Sequence, residues 1–174
     1  MPSTRRWLVA GSLLAGLSTV AMGDGRMGSR PSLCAADEVT VFECPSRGKQ
    51  IAICASRGWT PESGWVQYRF GTAKRIEVAV PSTAVRPADG VSVAQRPIAR
   101  GGFALAAFRA DRHVYVVYSA ISGGWGEKAG VVVDRDDVRI ATRRCDRGKE
   151  GEFGDGFLDR RGLSEASGPF LLPG

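Results

Sequence analysis

Short runs in which apolar side chains alternate with polar ones, or in which β-branched residues follow one another, recur from Val39 to Arg144. The clearest spans 75–80, where Ile76, Val78 and Val80 fall on one side of an extended chain and Arg75 and Glu77 on the other. Similar runs at 39–44, 50–54, 65–70, 102–109, 112–119, 130–135 and 137–144 bring the expectation to about eight strands. Val116-Val117 and Val131-Val132-Val133 lack alternation, as strands covered on both faces do. Polar turns at Pro45–Lys49, Ala110–Arg112 and Asp134–Asp137 join the runs into hairpins, and no helical period of ten or more residues separates them. This pattern predicts an all-β fold, a single antiparallel β barrel or sandwich stapled by two disulfides. Pro81, Pro87, Asp89-Gly90 and Pro97 mark residues 81–101 as a long connection, with room for one short extra strand at Val91-Ser92-Val93.

The first 23 residues follow a different rule. Arg5 and Arg6 precede an apolar, uncharged run from Trp7 to Val20, and Ala21-Met22-Gly23 supplies small residues at −3 and −1 of a cleavage site. That is the pattern of a secretory signal peptide, and it is too short for a bilayer span of roughly 20 apolar residues. The expected organisation is a signal peptide at 1–23, an N-terminal linker at 24–37, the antiparallel β domain at 38–147 and a Gly-rich C-terminal tail at 148–174. The expected location is periplasmic or secreted, with no transmembrane segment in the mature chain. Loss of Arg5 and Arg6 with the leader lowers the formal net charge from +6 to +4. No run of five or more Lys or Arg accompanies this basic balance, so nucleic acid is not an expected partner. Gly and Pro account for 23 and 9 of the 174 residues, below the level that signals a low-complexity chain.

Four cysteines, Cys34, Cys44, Cys54 and Cys145, follow the leader, and an even number in an exported chain predicts two disulfides. Three connectivities are possible. A three-residue turn Gly48-Lys49-Gln50 sets Cys44 opposite Cys54 across the first hairpin, at the separation a bridge needs. That register favours Cys44–Cys54 and leaves Cys34 for Cys145. No Cys-x-x-Cys spacing points to zinc or a redox dithiol.

Catalytic chemistry finds little support. The single histidine, His113, sits inside a predicted strand, and no Gly-x-Ser-x-Gly elbow is present. Asp136-Asp137, Asp155 with Asp159, and Glu150 with Glu152 lie in turns or in the glycine-rich tail, where solvation explains them. Gly123-Gly124-Trp125-Gly126-Glu127-Lys128 lacks the ending of a phosphate loop and precedes a strand, so no cofactor is expected. The same stretch carries the binding expectation. Residues 119–130 read as a long loop between two strong strands, displaying Ser122, Trp125 and Lys128 among four glycines. Trp59, in the loop Arg57–Gly64, raises the same possibility of a rim contact.

Val41-Phe42-Glu43-Cys44, Gly48-Lys49, Ile51-Ala52-Ile53-Cys54, Tyr68-Arg69-Phe70-Gly71, Tyr115–Ser119 and Cys145 resemble the pattern of uncharacterised small exported β proteins of Gram-negative bacteria. The likeness spans roughly residues 38–145 and implies a periplasmic setting and a shared disulfide frame. In class the chain is also similar to the periplasmic inhibitors of C-type lysozyme, small disulfide-bonded β barrels that insert a loop serine and a loop lysine into the enzyme. Ser122 and Lys128 are the matching residue types. The expected function is an exported non-enzymatic binding module of the inhibitor or immunity type, acting on a protein partner in the envelope or outside the cell through residues 119–130. The alternative is a passive structural or envelope-maintenance protein with no specific ligand.

Overall fold

The computed structural model describes residues 32–154, 162, 163 and 165. The signal-peptide segment 1–23 lies outside them, as do Asp155, Asp159 and the Phe157-Leu158 pair of the tail. The fold is all-β, with two antiparallel sheets. Sheet A has four strands in sequential order: β1 (Val39–Ser46), β2 (Lys49–Ala55), β3 (Val66–Thr72) and β4 (Arg75–Val80). A one-turn helix α1 (Pro87–Gly90) leads into sheet B, five strands also in sequential order: β5 (Val91–Ile98), β6 (Gly101–Ala110), β7 (His113–Ser122), β8 (Gly126–Arg135) and β9 (Val138–Arg144). Among the described residues no helix is long and apolar enough to cross a membrane.

The ninth strand is β5, which runs well beyond the short Val91–Val93 stretch that the sequence suggests. Pro97 lies inside it, opposite Gly102, at a position an edge strand tolerates because no ladder donor is lost there. The main core fills the space between the sheets: Phe42, Ile51, Ile53 and Tyr68 from sheet A meet Val93, Phe108, Val117 and Val131 from sheet B. Tyr68 ties the layers, its ring centroid 5.3 Å from that of Tyr115 and 6.1 Å from that of Phe108. Burial there pushes the Tyr68 hydroxyl pKa well above the usual phenol range, with Tyr115 adding to the rise and Arg143 opposing it. A second apolar layer, with Leu105, Val116, Tyr118 and Val132, lies on the other face of sheet B.

The disulfides differ from the sequence expectation. They are Cys34–Cys54 and Cys44–Cys145. The reason is register. The first hairpin closes on a two-residue turn, Arg47-Gly48 at φ +50° and +77°, which pairs Ser46 with Lys49 and Cys44 with Ile51. An odd shift of register sends a side chain to the opposite face of a sheet. Cys44 therefore enters the core between the sheets, while Cys54 joins Leu33, Ala52 and Trp65 on the outer face of sheet A.

The domain also extends past the expected boundaries. Residues 33–37, expected within the linker, are fixed to sheet A by Cys34–Cys54 and, just after them, by an ion pair between Glu38 and Arg69. The start of the expected tail pairs with β1: Glu43 and Glu150 exchange backbone hydrogen bonds of 2.9 and 2.7 Å, and the Phe153 N–H donates to the Val41 carbonyl. Phe153 is buried edge-on against Phe42.

Gly130 shows why a glycine can stand inside a strand. A Cβ there would lie 2.2 Å from the Arg143 carbonyl oxygen and 3.0 Å from the Tyr118 hydroxyl. Gly130→Ala is expected to cost about 2 kcal/mol, because the Arg143 carbonyl cannot retreat without disturbing the β8–β9 ladder. Denaturant unfolding checks this, and an unchanged midpoint would show that the strands can separate there.

Candidate functional site

The expected loop at 119–130 is mostly strand. Pairing between β7 and β8 continues to Ser122 opposite Gly126, leaving Gly123, Gly124 and Trp125 as a three-residue turn. Gly126, at φ +74°, takes the left-handed position with which such turns close. Glycines at 123, 124 and 126 therefore shape a tight tip, while Gly130 belongs to the ladder.

Two of the four expected contact residues stay at the surface. Trp125 is 41% exposed, and the Lys128 Nζ lies 5.0 Å from its ring centroid. A cation against an indole face holds both side chains in one arrangement before anything binds. Ser122 departs from the expectation. It is buried, its hydroxyl accepts the Gly124 N–H at 3.2 Å, and it donates to the Ala99 carbonyl at 3.4 Å. It stitches the β7–β8 turn to the β5–β6 turn, so the serine that the lysozyme-inhibitor likeness would place in a partner is turned inward.

Trp59 departs further. It is 3% exposed and belongs to the core between the sheets. Its loop folds back on itself through Thr60 and Ser63, and the Ala88 N–H bonds to the Pro61 carbonyl at 2.9 Å. That anchors the Trp59 loop beside the start of β5, whereas the Trp125 turn stands beyond the β5–β6 turn at the opposite end. The two tryptophans do not share a rim.

The feature that the sequence did not show is a cleft of about 270 Å³ behind Lys128. Its walls are Glu127, Lys128 and Ala129 on β8, and Arg144 through Lys149 where the chain leaves β9. Four cations, Lys128, Arg144, Arg147 and Lys149, face it against two carboxylates, Glu127 and Asp146. The Asp146 carboxylate also accepts the Arg47 N–H at 2.7 Å, and the Asp146 N–H donates to the Pro45 carbonyl at 2.8 Å. These bonds and Cys44–Cys145 fix the far wall of the cleft to the edge of sheet A. Lys128 stands opposite Ala120 and Arg144 opposite Gly130, so both project on the same face of sheet B as Tyr118. Burial raises the Tyr118 pKa, with Arg144 and Arg139 opposing the rise. The arrangement is suited to holding a negatively charged group.

Several other polar groups among the described residues have structural occupations. Asp136 in the β8–β9 turn pairs with Arg112, and Asp134 with Arg139. His113 stacks on Tyr115 at 6.2 Å. Cys34, Cys54 and Glu38 cluster closely, but both sulfurs are in the disulfide and the carboxylate is held by Arg69, which leaves no thiolate to bind a metal.

Comparison with protein-family models, with curated proteins and with solved structures finds no match to this chain.

Proposed function

We propose that the protein is an exported, non-enzymatic binding module that engages a protein partner with the β7–β8 turn. The observation that carries this reading is the exposed Trp125 ring, held by Lys128, which also lines a cation-rich cleft. Aromatic anchors beside complementary charge are the usual centres of protein recognition. The signal-peptide pattern at 1–23 and the oxidation of all four cysteines support an extracytoplasmic setting. Among the described residues, Glu38, Asp134 and Asp136 are held in ion pairs, His113 in a ring stack and all four cysteines in disulfides, which supports binding over chemistry.

The test is affinity capture from periplasmic extract and culture fluid with the mature protein, beside Trp125→Ala/Lys128→Ala. A partner held by the wild type and weakened about tenfold or more in the double variant supports the reading. Thermal unfolding of both proteins should coincide, because the turn buries little. Identical capture by both, or none by either, overturns it in favour of a passive envelope role.

A further inference from the structure

We propose that the cleft behind Lys128 is an oxyanion pocket that seats an acidic side chain of the protein partner, a carboxylate that enters beside the Trp125 contact. This deepens the binding-module reading and rests on it.

The pocket exists because β8 outlasts its neighbour. The β8–β9 ladder ends at Gly130 opposite Arg144, and the Cys145 N–H then donates to the Ala129 carbonyl at 2.9 Å. Beyond that bond the chain turns toward sheet A, held there by Cys44–Cys145 and by the Asp146 N–H, which donates to the Pro45 carbonyl at 2.8 Å. Residues 126–128 of β8 continue past this point, still paired to β7. The space that opens between them and the departing chain is the cleft of about 270 Å³. It admits an acidic side chain and no secondary-structure element.

Backbone alternation puts a donor there. In an antiparallel strand the N–H and C=O of one residue point to one neighbouring strand, and those of the next residue to the other. The Ala129 carbonyl points to the β9 side, so the Glu127 N–H, two residues away in a regular ladder, points to that side as well. Among the described residues no backbone carbonyl of the departing chain receives it. The Glu127 side chain starts from the face of β8 opposite to that of Lys128, since consecutive residues of a strand alternate.

Charge selects the guest. Elsewhere the domain matches cations to acids: Lys49 to Glu77, Arg112 to Asp136 and Arg139 to Asp134. Arg144 aside, the cleft is lined by Lys128 from β8 and by Arg147 and Lys149 from the departing chain, and these three enter no ion pair among the described residues. Of the two acids in the wall, Asp146 is engaged by the Arg47 N–H at 2.7 Å. A carboxylate entering the cleft therefore meets ammonium and guanidinium charge from two sides and a backbone N–H from β8, the donors with which charge-assisted hydrogen bonds are made. Lys128 belongs both to this wall and to the Trp125 contact, 5.0 Å from the ring centroid, so one partner can engage both.

The probe is a diglutamyl peptide blocked at both ends, beside its diglutaminyl counterpart and inorganic phosphate, each titrated into the mature protein and followed by amide NMR shifts. The expected result is saturable movement of the Glu127 N–H and of residues 147–149 with the Glu peptide, little with the Gln peptide, and weakening with added salt. Phosphate should compete with the Glu peptide for the same residues. Arg147→Gln/Lys149→Gln should lower the affinity for the Glu peptide about tenfold or more through lost charge. Lys149→Gln alone should lose part of it, and keeps the test open if the double variant fails to fold. An equal response to both peptides, no response to either, saturation by phosphate without any by the Glu peptide, or unchanged affinity in a folded variant would each overturn the proposal. If Trp125→Ala/Lys128→Ala releases its captured partner while Arg147→Gln/Lys149→Gln retains it, the binding-module reading stands and the pocket proposal falls.

Discussion

Replacing Cys44 and Cys145 by alanine is expected to remove about 5 kcal/mol of stability, against about 3 kcal/mol for Cys34 with Cys54, when loop closure in the unfolded chain governs both. The two bridges close 101 and 20 residues of sequence. The longer one also has more to hold in the folded state: it joins the core-facing side of β1 to the residue after β9, and so links the two sheets beside the cleft. Cys34–Cys54 stays within one side of sheet A. Guanidinium unfolding of the two double variants measures the difference, and non-reducing peptide mapping of the wild type should return the pairs 34–54 and 44–145. A larger loss in the Cys34/Cys54 variant would mean that docking of the N-terminal segment outweighs the closure of the longer loop.

The strands were legible because their side chains alternate or cluster as a two-faced layer requires. β4, β6, β7 and β8 could be read from Ile76, Val78 and Val80, from Phe103 to Phe108, and from the valines of 114–117 and 131–133. Register was not legible. Arg47 adopts φ +50°, a conformation usually left to Gly or Asn, and the closing turn is therefore the two-residue Arg47-Gly48 rather than the three-residue Gly48-Lys49-Gln50. That local choice decides the face of Cys44, and with it both disulfides. Gly130 reads both as the last glycine of a loop and as the start of a strand, and the reason for it was not visible: Arg143 and Tyr118 crowd that point of the ladder. Trp125 is exposed because it sits in a tight turn, and Lys128 lies beside it on β8. Trp59 could not be sorted from them, since its burial depends on how its loop folds between the sheets. The cleft was beyond reach, because it joins residues 127–129 to 144–149, a proximity that only the β8–β9 register and Cys44–Cys145 create.

Arg69→Met is expected to cost about 3 kcal/mol near neutral pH, the scale for stranding one member of a largely buried ion pair. Arg69 lies on β3 with its guanidinium on the outer face of sheet A, 5.5 Å from the Trp65 ring centroid. It donates to both Glu38 carboxylate oxygens at 2.6 and 2.8 Å, to the Leu33 carbonyl at 2.8 Å and to Gln67 Oε1 at 2.7 Å. These bonds hold residues 33–38 down beside Cys34–Cys54. Burial alone would raise the Glu38 pKa, but the Arg69 hydrogen bonds, the Ala35 N–H and the Arg69 charge together bring it below the ordinary value. The unfolded chain therefore takes up this proton first as pH falls. The stabilisation is complete above the ordinary carboxylate range and is lost as pH drops through the lower folded value. Denaturant unfolding of wild type and Arg69→Met, near neutral pH and at about pH 3, should show the stability gap narrowing toward acid. A gap of equal size at both would assign the role of Arg69 to its packing on Trp65 and its bond to Leu33, with the Glu38 pair contributing nothing.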